Sequence, residues 1–154
     1  MTLEPAKHYF LVSGTGKAST PLNAFDAALL NAGIGNVNLL KMSSIVPPHC
    51  QRIEPASIAQ GTLVPIAYAS MTSSLPGEVI SAGVAVGIPE DDDHCGVIME
   101  YSARGHRHEI EEIVSNMAHQ ALEMRGLTIK SIECCSVEAK VENVAAVFAG
   151  VVLI

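Results

Sequence analysis

VAAVFAGVVLI, residues 144–154, is the longest apolar run in the chain, and its length decides between two kinds of fold. At 11 residues it falls well short of the roughly 20 needed to cross a bilayer, and its β-branched content predicts a strand over Val144–Leu153. Working outward, the same reasoning predicts strands over 8–13 (HYFLVS), 36–42, 62–69, 79–86, 96–102 and 127–137. Pro65 places its strand at an edge or a bulge, because it has no N–H to give a ladder. Gly14 and Gly16 are expected to close the first strand in a turn. Thr20 then supplies an N-cap and Pro21 a first helical residue for a helix that runs through Leu30 and stops near Gly33. Its apolar residues Leu22, Phe25, Leu29 and Leu30 recur at helical spacing, with Asp26 on the edge of that stripe. A second helix is predicted over 108–125, with Ile110, Ile113, Val114, Met117, Ala118, Ala121 and Leu122 on one face and Gly126 as its C-cap. At 1.5 Å per residue it reaches roughly 27 Å, enough to cover a sheet face. Two amphipathic helices against many strands, not interleaved one to one, make an α+β sandwich rather than a doubly wound fold. No internal repeat or low-complexity linker divides the chain, so residues 1–154 are read as a single domain.

The chain has 154 residues, 49% of them hydrophobic and 16% charged, with 9 Lys+Arg against 16 Asp+Glu. This composition excludes disorder, and a chain this long buries roughly 70% of the surface it exposes unfolded. The formal net charge of −7 argues against nucleic acid as a partner, since phosphates require a basic stripe, and suits a cationic small molecule. Cys50, Cys95, Cys134 and Cys135 lack the paired spacing of a zinc site and read as buried thiols in a reducing compartment. The opening MTLEPAKHYF has neither the basic nor the apolar region of a signal peptide. A soluble cytoplasmic protein without a membrane partner is expected.

Three motifs invite stronger readings and do not sustain them. SGTGK, residues 13–17, has Leu11 where a phosphate-binding loop needs its first glycine and Ala18 where it needs Ser or Thr. His106 and His108 flank Arg107 before the long helix, and no third metal ligand is placed by the sequence. EDDD, residues 90–93, lacks the glycine at the sixth position of a calcium loop and reads as a solvated turn.

The functional signal lies in GIGNVNLLKMSSIVPPHC, residues 33–50. Pro47 and Pro48 cannot continue a ladder, so the strand ends at Ser43 and Ser44. Two adjacent hydroxyls at a strand end, before a proline-locked turn, form a geometry in which one side chain can attack the preceding carbonyl. A polar strand terminus is the plainer reading of Ser-Ser alone.

In its surroundings the pair resembles the pyruvoyl-dependent arginine decarboxylases. The likeness is carried by NVNLLKMSSIVPP (36–48), by FDAALLNAGIGN upstream and by GVIMEYS (96–102) downstream, in matching order and spacing. The resemblance implies an αββα-type sandwich and a homotrimer, or a dimer of trimers, with active sites at subunit interfaces. It implies self-cleavage between Ser43 and Ser44 into a β chain, 1–43, and an α chain, 44–154. Ser44 would become a pyruvoyl group, with no pyridoxal phosphate and no metal. That ketone condenses with the substrate α-amine, and the conjugated amide carbonyl accepts the electrons released as carbon dioxide leaves. By the same resemblance Glu100 is the proton donor, Asn38 assists processing by stabilising the oxyanion, Asp26 binds the guanidinium of arginine, and Ile45 lines the pocket. Independently of the family, Glu100 shares a strand face with Ile98, so its carboxyl is expected among apolar neighbours with its pKa raised. The implied reaction takes L-arginine to agmatine. The alternatives are a pyruvoyl-dependent decarboxylase of another amino acid such as histidine, and a binding protein of the same fold that is never processed.

Overall fold

The computed structural model describes residues 3–154, which form two mixed-order sheets and two helices. The elements are β1 (His8–Ala18), α1 (Pro21–Asn31), β2 (Asn38–Lys41), β3 (Ile45–Val46), β4 (Gln51–Arg52), β5 (Leu63–Ser73), β6 (Val79–Pro89), β7 (Gly96–Arg104), α2 (Arg107–Met124), β8 (Ile129–Lys140) and β9 (Val144–Leu153). One sheet has the order β2-β5-β9-β1-β4 and the other β3-β7-β6-β8.

The apolar run that opened the sequence reading is the centre of the first sheet. Every residue of β9 is buried, because the strand is covered on both faces. Successive side chains alternate sides. Ala145, Val147, Ala149, Val151 and Leu153 meet Val84, Val86 and Ile98 of the second sheet, while Val144, Ala146, Phe148 and Val152 pack toward Ala24, Ala28 and Leu29 of α1. On the outer side of the second sheet, Ile110, Val114, Ala118, Ala121 and Leu122 of α2 cover Ala85 and Val97. Three apolar layers therefore separate helix, sheet, sheet and helix.

Gly14 and Gly16 do not form a turn. The first strand continues through both to Ala18, paired with β9 along the whole stretch. Their role is close approach: a Cβ on Gly16 would lie 2.3 Å from the Ala28 nitrogen and 2.4 Å from the Ala24 oxygen. The helix that rests there buries Ala24, Ala28 and Leu29, not the expected leucine stripe. Leu22 and Leu30 are 77% and 52% exposed, and Asp26 between them faces solvent. Leu29 and Phe25 of that stripe do pack inward, but Leu22 and Leu30 do not, because the part of the helix over Gly14 and Gly16 must be small. Pro65 is also not on an edge strand, since β5 lies between β2 and β9. It precedes the first β9 pair, Ile66 with Val152, and so forfeits no bond to that strand.

Two short strands escaped the sequence reading. After β2 the chain leaves the first sheet, adds β3 to the edge of the second beside β7, and returns as β4 beside β1. Arg52 of β4 and Tyr9 of β1 both reach Glu133 of β8, at 3.5 and 2.8 Å, which ties the two sheets together along that side.

Candidate active site

The two serines occupy the crossing between the sheets. Met42 N–H still donates to Ile66 O in the first sheet at 2.8 Å, and Ser44 O already accepts from Ile98 N–H in the second at 2.7 Å. Ser43 is the only residue between these anchors. The peptide expected to break is thus held from both sides, with Ser43 exposed and Ser44 half-buried. Beyond it, Ile45 pairs with Val97 and Val46 with Gly96.

The strand that holds Ser44 also carries Glu100. Two residues along from Ile98, it points to the same face, toward the first sheet, where Ser102 Oγ donates to Ser70 O. Glu100 Oε2 is buried and has no hydrogen-bond partner. Burial pushes its pKa up, and the Lys41 ammonium pulls it the other way. Lys41 is itself held 4.6 Å above the Tyr68 ring. Neither Lys41 nor the Ile98 N–H was singled out from sequence: nothing in the spacing of residues 41, 44 and 98 along the chain shows that the two sheets bring them close.

Ser44, Ile45 and Glu100 are therefore assembled around β7. Asn38 and Asp26 are not. Asn38 opens β2, roughly 16 Å of extended chain before Ser43, and its Nδ2 donates to Gly61 O at 3.2 Å. Asp26 projects from α1 and makes no hydrogen bond or ion pair among the described residues.

The arrangement gives the backbone carbonyl of residue 44 a donor, the Ile98 N–H, and sets a buried acid without a partner of its own on the same strand. No set of three or more His, Cys, Asp or Glu among the described residues is placed to hold a metal. His106 instead bonds Glu138 at the start of α2, and His94 bonds Asp91 in the acidic turn.

Comparison with known proteins shows the family of the chain. A family model described as pyruvoyl-dependent arginine decarboxylase matches residues 8–153. A protein of that name from Methanococcus aeolicus is 50% identical over 93% of this chain and 87% of its own length. Its namesake from Methanocaldococcus jannaschii is 48% identical over the same shares. One from Pyrococcus horikoshii is 39% identical over 99% of this chain and 98% of its own. These matches define a carboxy-lyase that works through a covalently bound pyruvoyl group instead of pyridoxal phosphate or a metal. The chain belongs to the pyruvoyl-dependent arginine decarboxylase family.

Proposed function

We propose that this chain cleaves itself between Ser43 and Ser44 and then decarboxylates L-arginine to agmatine and carbon dioxide. The observation that carries the reading is the placement of Ser44 against β7, two residues from the buried, unpartnered carboxyl of Glu100. Ser44 Oγ attacks the Ser43 carbonyl carbon, and the acyl group passes from nitrogen to oxygen. β-Elimination then frees the Ser43 carboxylate and leaves dehydroalanine at 44, which hydrolyses to a ketone with release of ammonia. Only a hydroxyl or thiol at 44 supplies both the nucleophile and the leaving atom. The pyruvoyl group so formed supplies an electrophile for the substrate α-amine and a sink for the electrons of the departing carboxylate.

The remaining work falls to side chains. Glu100, whose pKa burial raises, delivers a proton to the substrate carbon once carbon dioxide has left. Ile45, 40% exposed beside Ser44, lines the pocket. Asp26 pairs with the guanidinium, for which a free carboxylate is well suited. Asn38 donates to the oxyanion formed during cleavage.

The family resemblance supports a homotrimer, or a dimer of trimers, of αββα sandwiches with sites at subunit interfaces, and the placement of Asp26 on α1, away from β7, is consistent with a neighbour supplying it. The exposed Leu22 and Leu30 around Asp26, and Leu40, Met42 and Leu63 around β2, supply apolar surface for such contacts. No helix among the described residues is long and apolar enough to cross a membrane, and we place the enzyme in the cytoplasm. The direct test is Ser44→Ala, expected to remain one band on a denaturing gel while the parent chain gives two. Two bands from the variant would remove Ser44 from its role.

A further inference from the structure

The carbonyl of residue 44 has a second function to perform. In the precursor it is an ordinary peptide carbonyl. After maturation it is the amide carbonyl conjugated to the ketone, where charge accumulates as carbon dioxide departs. We propose that the backbone N–H of Ile98 is a catalytic group of this enzyme, donating a hydrogen bond to that oxygen. The inference rests on the reading of Ser44 as the pyruvoyl precursor.

Four features of the structure support it. The N···O distance of 2.7 Å lies at the short end of the range for an amide donor. The donor is rigid: the Ile98 side chain is fully buried between the sheets, and β7 is held by Val86 of β6 on its other side. The bond is also one-sided, since among the described residues Ser44 N–H returns no backbone bond to β7. Finally, cleavage breaks the bond between the Ser43 carbonyl carbon and the Ser44 nitrogen, whereas the Ser44 carbonyl remains joined to Ile45, whose pairing with Val97 is untouched. The donor is therefore in place before the ketone exists and stays in place afterwards.

A fixed dipole aimed at developing charge needs no reorganisation at the moment of reaction. Glu100 lies two residues further along the same strand, so the donor and the proton source hold a spacing of roughly 7 Å set by strand geometry. β7 would thus govern both halves of the step: where the electrons rest and where the proton comes from.

The test uses full-length protein assembled by semisynthesis with carbon-13 at the carbonyl of residue 44 alone, and isotope-edited infrared spectra of that carbonyl in the mature enzyme. A second protein replaces the Ile98 peptide N–H by an ester oxygen. It is expected to be cleaved and to carry a hydrazine-reactive ketone, with the stretch moved to higher frequency and kcat lowered about 10²-fold at nearly constant KM. Unchanged stretch and kcat in such a cleaved, ketone-bearing protein would refute the role of Ile98 while leaving Ser44 in its own. Absence of a ketone in the unsubstituted parent would refute both.

Discussion

Glu100 places an ionisable group where its charge is disfavoured. Desolvation raises its pKa and Lys41 offsets part of the rise, so the acid is held protonated above the usual carboxylate range. With Glu100 as the proposed proton donor, kcat is expected to fall as pH rises through this raised value. Glu100→Gln should still be cleaved, yet lose about 10²- to 10⁴-fold in kcat, and unimpaired agmatine formation would exclude proton donation. Stability carries the same sign. The native state holds this proton more tightly than the unfolded chain, so the contribution is fully present below the ordinary carboxylate pKa and declines as pH rises toward the native value. Thermal unfolding of Glu100→Gln should lack that decline. The strand alternation from Gly96 made the location of Glu100 readable from sequence. The surroundings of Asp26 were not readable, because Ala24, Ala28 and Leu29, and not Leu22 and Leu30, face the sheet.

Among the elements, α1 and β1 form the contact most easily broken. Gly14 and Gly16 leave no room for a side chain against the α1 backbone. Gly16→Ala should cost about 3 kcal/mol or more, visible as a lower midpoint in thermal or denaturant unfolding, and a variant as stable as the parent would contradict the close packing. Both helices and the seven longer strands were legible from periodicity, with ends displaced by a few residues. The two-residue strands β3 and β4 were not. A strand of that length has no period to read, and it exists only because β7 and β1 present free edges to it. The crossing of Ser43 and Ser44 between sheets was invisible for the same reason: the sequence marks where β2 stops, but a partner 54 residues away, Ile98, determines where the chain goes next.

At the scale of the molecule, the proposed oligomer builds each site from residues of two subunits. Asp26→Asn alone should lower kcat/KM for arginine by the equivalent of roughly 2 to 5 kcal/mol, the cost of truncating one partner of a buried charge pair. Coexpressed with Glu100→Gln, it should recover part of the lost activity, because some interfaces then join an intact Asp26 to an intact Glu100. No recovery in a confirmed mixed oligomer would place all the residues of a site on one chain. After cleavage the β chain has no covalent tie, yet β1 keeps ten paired residues with β9, and the β chain should stay bound until denatured. Intact-mass measurement of the active enzyme under denaturing conditions, with and without borohydride, tests the central claim most directly. The account predicts two fragments divided after residue 43, the larger beginning with a keto group that gains two hydrogens on reduction. An active preparation consisting only of the uncut 154-residue chain, unchanged by borohydride, would contradict it.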